Sequence, residues 1–309
     1  MTMKTNRISA IFLSLALLAG YCLPTQAQLW QGKGRIALSS DGNEHDDDDW
    51  AATPLTLALL AARGLQDKVV LYTYSDHVWG SNQAHLNRYD MSAYDHMRES
   101  ALGGKKWFGF DKTKFICAVD NAEIAYNAMA KAINESSADN PLLIVAAGPM
   151  QVVGEGINRA EKDKRKFVTV LSHSWWNNEH SDSPAKGGWE KHSGWTFADM
   201  KEAFEDPEKG GAKFVQIKDQ NGGEGYEGLH APKEQFDWLL TSPARNNPAY
   251  KPNSWRWLYD RIATCIKVDK KKGTLNFDPS DAGMIIYMLT GEEKTEPYMA
   301  KDIMESPVK

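Results

Sequence analysis

Six carboxylates fall within nine positions of the stretch Asp41-Gly-Asn-Glu-His-Asp-Asp-Asp-Asp-Trp50. Like charges a few ångström apart repel, and a desolvated carboxylate is costly unless a positive charge sits beside it. Such a run is either a solvated loop or a set of ligands. Its donors are hard oxygens, which suit Ca²⁺, and less well Mg²⁺, rather than Zn²⁺. An EF-hand fits poorly: Asp41, Asn43 and His45 alternate as its ligands do, but Asp46 stands where it needs Gly and Ala52 where it needs Glu. A dinucleotide fingerprint fails because Gly32 and Gly34 precede the strand, and neither a Walker A loop nor a Gly-x-Ser-x-Gly elbow is present.

A second polar cluster, Ser172-His-Ser-Trp-Trp-Asn-Asn-Glu-His180, offers other chemistry. His173 and Glu179 are candidate acids, Asn178 a contact to substrate hydroxyls, and Trp175 or Trp176 a platform for a sugar ring. Glu179 paired with Asp41 would also make the two-carboxylate arrangement of ordinary glycosidases. Asp76, His77, Asn82, His192 and Trp195 are further candidates to line a cleft, and residues 219–225, rich in Gly, read as a lid.

These groups need a frame. Apolar, β-rich runs at 35–40, 69–75, 142–147, 167–174 and 213–219 read as strands buried on both faces. Helical patterns lie at 53–62, 121–134, 197–205, 233–240, 255–266 and 282–289, the first with Pro54 in its opening turn. The alternation predicts an α/β fold: a mostly parallel, Rossmann-like open sheet with helices on both faces, its site outside the carboxyl ends of the strands. The acidic run and the His173 cluster both follow strands, so both hang over that edge.

Residues 1–27 read as a signal peptide, with Lys4 and Arg7 ahead of an apolar stretch and a cleavage site near Ala27. The expectation is an exported protein, periplasmic or secreted, whose residues 28–309 form one domain without a membrane span. Cys117 and Cys265 remain after the leader, either as one disulfide or as two buried thiols. A net charge of -5 and the lack of a basic cluster argue against a nucleic-acid partner, while nothing marks an oligomeric state.

Four segments together carry a family resemblance. Asp41 followed by Asp48-Asp49 at a helix start resembles the first motif of the nucleoside hydrolases, Asp-x-Asp-Pro-Gly-x-Asp-Asp. Leu142–Gln151 resembles that family's strand ending in Gly-Pro, residues 167–174 its next core strand, and Ser280-Asp281-Ala-Gly its late His-Asp-Pro helix start. The resemblance implies a nucleoside hydrolase-like fold and a Ca²⁺ held by Asp41, Asp48, Asp49, Asp281 and the Ala147 carbonyl, with Asp41 as general base. It departs in a longer first loop without Pro-Gly, and in Ser280 where the family has His. Together with the leader and eleven Trp, this shifts the expected substrate to a saccharide. A nucleoside is the alternative within the hydrolases, and a calcium-dependent carbohydrate-binding protein without catalysis the alternative outside them.

Overall fold

The structure is a computed structural model that describes residues 29–42, 47–76, 91–148, 150–179, 194–270 and 272–308. In chain order the first half runs β1 (Arg35–Ser39), α1 (Asp49–Ala62), β2 (Val69–Tyr74), α2 (Ala93–Phe108), β3 (Lys114–Cys117), α3 (Ala122–Asn134) and β4 (Leu142–Ala146). There follow α4 (Gln151–Arg159), β5 (Val168–His173), the single turn α5 (Trp176–Glu179), α6 (Phe197–Phe204) and β6 (Lys213–Ile217). The six strands form one parallel sheet in the order β3-β2-β1-β4-β5-β6. β1 lies between β2 and β4, so chain connections leave its two sides in opposite directions. That opens a crevice at the carboxyl ends of β1 and β4, where open α/β sheets bind ligands.

The sheet is covered on both sides. Ile36 and Leu38 of β1 join one apolar cluster with α1 and α2, and Ala37 between them joins another with α3, α4 and α6. This is the alternation a pleated strand imposes. β4 is buried along its whole length, but β6 is an edge strand and half exposed, which corrects the expectation of burial for residues 213–217.

α1 begins at Asp49, one turn earlier than expected, so Pro54 lies inside the helix rather than in its opening turn. Proline there cannot donate to the carbonyl four residues back, that of Trp50. Ser100 Oγ takes that place, donating to Trp50 O at 2.6 Å, and Arg261 holds Ser100 in turn. Of α1 only Ala61 escapes burial, and Leu55, Leu57, Leu59 and Leu60 alone contribute on the order of 6–12 kcal/mol of apolar transfer. That gain offsets the burial of charged groups at the helix start.

The remainder is β7 (Ala231–Pro232), α7 (Trp238–Thr241), α8 (Ser254–Ile262), β8 (Ile266–Asp269), β9 (Thr274–Phe277), α9 (Gly283–Thr290) and α10 (Pro297–Glu305). The expected helix over 233–240 is a 3-10 turn followed by the short α7, and the one over 255–266 stops at Ile262 before β8. β7, β9 and β8 make a small antiparallel sheet whose far end feeds into Asp278 and Asp281. Cys117 and Cys265 are both buried and free, which settles for thiols over a disulfide. No helix among the described residues is long and apolar enough to cross a membrane.

Candidate active site

The carboxyl edge of the sheet gathers the acidic groups. Asp41 follows β1, is fully buried, and accepts its neighbour Gly42 N–H through Oδ1 at 2.6 Å. Trp50 Nε1 donates to Gly42 O at 2.8 Å, so the turn after β1 is tied to the start of α1. Asp48 occupies the cap position of that helix but makes no side-chain capping bond; Ser280 Oγ donates to its Oδ2 at 3.3 Å instead. Helix capping therefore does not explain Asp48. Asp281 arrives on the 3-10 turn Ser280–Ala282.

Asp49 is the electrostatic centre of the group. Burial, then repulsion from Asp281 and Asp48, push its carboxyl well above the usual range, while hydrogen bonds with Asp41 work the other way. Asp49 Oδ2 is buried with no hydrogen-bond partner among the described residues. Ala147 donates its N–H to Ser39 O at 2.8 Å and precedes Gly148, whose φ of +75° suits glycine. A Cβ on Gly148 would stand 2.5 Å from Asp41 Cγ, so the missing side chain is what lets the β4 loop approach Asp41.

By donor type and by that orphaned oxygen, Asp41, Asp48, Asp49 and Asp281 fit a hard divalent cation. Among the described residues, however, no three His, Cys, Asp or Glu side chains meet as a ready-made ligand cluster.

A cleft of about 330 Å³ opens over this group. Asp48, Gly148, Asp281 and His173 line it from the sheet side, and Trp175, Trp176 and Asn177 from the turn after β5. Trp175 is 64% exposed and meets Trp176 edge-on, ring centroids 5.9 Å apart. Ser174 has a φ of +67°, and Ser75 after β2 one of +54°, so both strand ends are held in the left-handed region. Asn178 and Glu179 belong to α5, and their side chains lie outside the described residues, as do Asn82, His192 and His77.

His173 is 2% exposed. Its Nε2 meets Asp281 Oδ1, and its Nδ1 accepts the Gln220 N–H at 3.1 Å, with Asp219 Oδ1 at 3.6 Å. Burial disfavours its charge, but Asp281 and Asp219 outweigh burial and raise the imidazole to about 10. Against that, the Gln220 amide needs a lone pair on Nδ1. Only the amide is within hydrogen-bonding distance, so Nε2 carries a proton in either state. Burial also opposes the charge of Asp219, yet the neighbouring His173 imidazole and hydrogen bonds from Asn221 hold its carboxyl at about 2.

Three other expectations are corrected. Asp76 accepts the Val152 N–H at 3.0 Å and so supports the start of α4. Trp195 packs on Phe204 and against Gly154, with Nε1 donating to Glu155. The 219–225 loop is no loose lid: Gln220 is fully buried, and Tyr226 Oη donates to Asp219 O at 2.6 Å.

Lys267 and Asp278 were not singled out from the sequence. Lys267 is the one lysine or arginine lining the cleft among the described residues, with Nζ 3.0 Å from Asp278 and 3.4 Å from Asp47. Burial would lower its pKa, but Asp278 and the neighbouring acids more than reverse that and keep it charged. Their only trace in the sequence is the spacing Asp278-Pro-Ser-Asp281.

No protein-family model matches the chain. Among solved structures it is similar to the inosine-uridine preferring nucleoside hydrolase from Bacillus anthracis, at TM-score 0.42 and 11% identity over 84% of this chain and 82% of that one. It is similar also to the effector protein XOO4466, at TM-score 0.46 and 11% identity over 91% and 94%. Likenesses at that level fix neither substrate nor chemistry. "Uncharacterized protein P22" of Formosa agariphila is 31% identical over 263 residues, 84% of each chain. The chain belongs to the same family as that protein of Formosa agariphila.

Proposed function

We propose that the protein is an exported hydrolase of glycosidic bonds that works with a divalent cation, Ca²⁺ in preference to Mg²⁺, and takes a saccharide. One observation carries the reading: Asp41, Asp48, Asp49 and Asp281 are all buried at the carboxyl edge of the sheet, with an orphaned buried oxygen on Asp49. Uncompensated burial of that much acid makes sense as a ligand set. The first-motif resemblance to nucleoside hydrolases, the Ala147-Gly148 turn and the burial of Asp281 at the same edge support the same reading.

Asp41, Asp49, Asp281 and the Ala147 carbonyl would hold the cation, with Asp48 supporting them. When bound, the cation supplies a water of lowered pKa and a fixed template for sugar hydroxyls. Asp41 would then accept the proton of the attacking water. Trp175 would stack the sugar ring, and Asn178 is the residue proposed for its hydroxyls. His173 has both ring nitrogens engaged, which leaves Glu179 as the acid for the leaving group. The leader, the Trp content and Ser280 in place of the family's His favour a saccharide over the alternative, a nucleoside.

The test is sugar release from a panel of polysaccharides and oligosaccharides beside base release from inosine and uridine, each with and without chelator. Chelator-sensitive sugar release is expected, with a loss of about 10²–10⁴-fold in Asp41→Asn. Base release alone would favour the nucleoside reading, saccharide binding without turnover a binding protein, and full activity of Asp41→Asn would remove Asp41 as the base.

A further inference from the structure

His173 joins two elements that come from distant parts of the chain. Nε2 meets Asp281 on the turn after β9, and Nδ1 accepts the backbone N–H of Gln220 in the loop after β6. Gln220 is locked: its Nε2 donates to Lys218 O at 2.6 Å and Glu293 O at 2.9 Å, and its Oε1 accepts Thr295 Oγ1 at 2.5 Å. The backbone of His173 is held as well, since its carbonyl accepts Asn177 Nδ2 at 2.9 Å. A donor fixed on Nδ1 leaves the ring proton on Nε2, aimed at Asp281.

We infer that His173 is a positioning residue, which carries the fixed frame of the Gln220 loop through its ring to Asp281 and aims that carboxylate at the cation. This rests on the cation reading above. A carboxylate that can rotate freely spends binding energy on ordering itself. Loss of such an outer partner typically costs about 10–100-fold in metal affinity.

The experiment is Ca²⁺ titration calorimetry on the chelator-stripped chain and its His173→Asn and His173→Gln variants. Asn places an acceptor near the Nδ1 position but nothing at Nε2; Gln reaches the Nε2 position with an N–H that can donate to Asp281. His173→Asn should bind Ca²⁺ about 10–100-fold more weakly, and His173→Gln should recover most of that loss. In an Asp281→Asn background, His173→Asn should cost nothing further, because the two act through one contact. Wild-type Ca²⁺ affinity in His173→Asn, or a loss in His173→Gln equal to that in His173→Asn, overturns the inference alone. A wild-type chain that takes up neither Ca²⁺ nor Mg²⁺ overturns the cation reading and this inference with it.

Discussion

Gly148→Ala separates the site's geometry from the fold's stability. Gly148 has φ +75°, and an L side chain in that region costs about 1–2 kcal/mol. For a chain of this size the thermal midpoint should fall by about 2–8 °C. The new Cβ would lie 2.5, 2.7 and 2.9 Å from Asp41 Cγ, Oδ1 and Oδ2, all well inside ordinary contact. Asp41 is fully buried and accepts the Gly42 N–H, so it can yield only by moving away from its present partners. A displacement of about 1 Å at a reacting group can cost about 10²-fold, and a loss of that order is expected in chelator-sensitive turnover, with Ca²⁺ affinity falling alongside. Gly64→Ala is the control: its φ is +65° with open space around the site of a Cβ, so it should lose stability and keep function. Calorimetric Ca²⁺ titration and thermal melts of both variants decide the matter. If Gly148→Ala melts early but binds Ca²⁺ and turns over as wild type does, Asp41 is not the group that the β4 turn positions.

Two further outcomes are expected. Lys267→Met leaves Asp278 buried without its lysine and should cost about 1–3 kcal/mol at neutral pH, less than the roughly 3–5 kcal/mol of a fully buried broken pair because Lys267 is partly exposed. Burial opposes the Asp278 charge, but Lys267 and His230 hold its folded pKa below the ordinary value, so this stability is present above about pH 4 and is lost as pH falls through the folded value. Melts across that window should bring variant and wild type together at low pH; a gap of constant size would refute the assignment. Trp175→Ala removes an exposed ring, so its melting temperature should stay within about 1 °C while saccharide affinity drops by about 1 kcal/mol or more. Equal loss of stability and affinity would mark Trp175 as structural.

Five of the six parallel strands were legible: four are buried on both faces and read as apolar runs, and the half-exposed edge strand β6 still carries the β-rich run Phe214-Val215-Gln216-Ile217. β3 was not, being four residues that begin with an exposed Lys114. α2 and α4 were hidden by their glycines, and the reason is packing. A Cβ on Gly104 would meet Leu57 of α1, and those on Gly154 and Gly156 would meet Trp195 and Met129. Helices that touch this closely trade propensity for contact, and a reading based on propensity passes over them. The acidic side chains after β1 and before α1 were legible because the edge where strands end follows from topology alone. Lys267, Asp278 and the double engagement of His173 were not, since each depends on how the late antiparallel sheet and the Gln220 loop dock.

That docking also sets an order of events. The parallel sheet is complete in sequence once Ile217 has been made, yet Lys267 and Asp281 come much later in the chain. Contacts of such long sequence separation form slowly, because loop closure precedes their reward. Until they form, the start of α1 is an acidic pocket without its lysine, and its repulsion opposes compaction. The cleft is thus the last region to mature during synthesis or refolding. Indole fluorescence from Trp175 and Trp176, beside it, should lag behind the far-ultraviolet signal of the sheet.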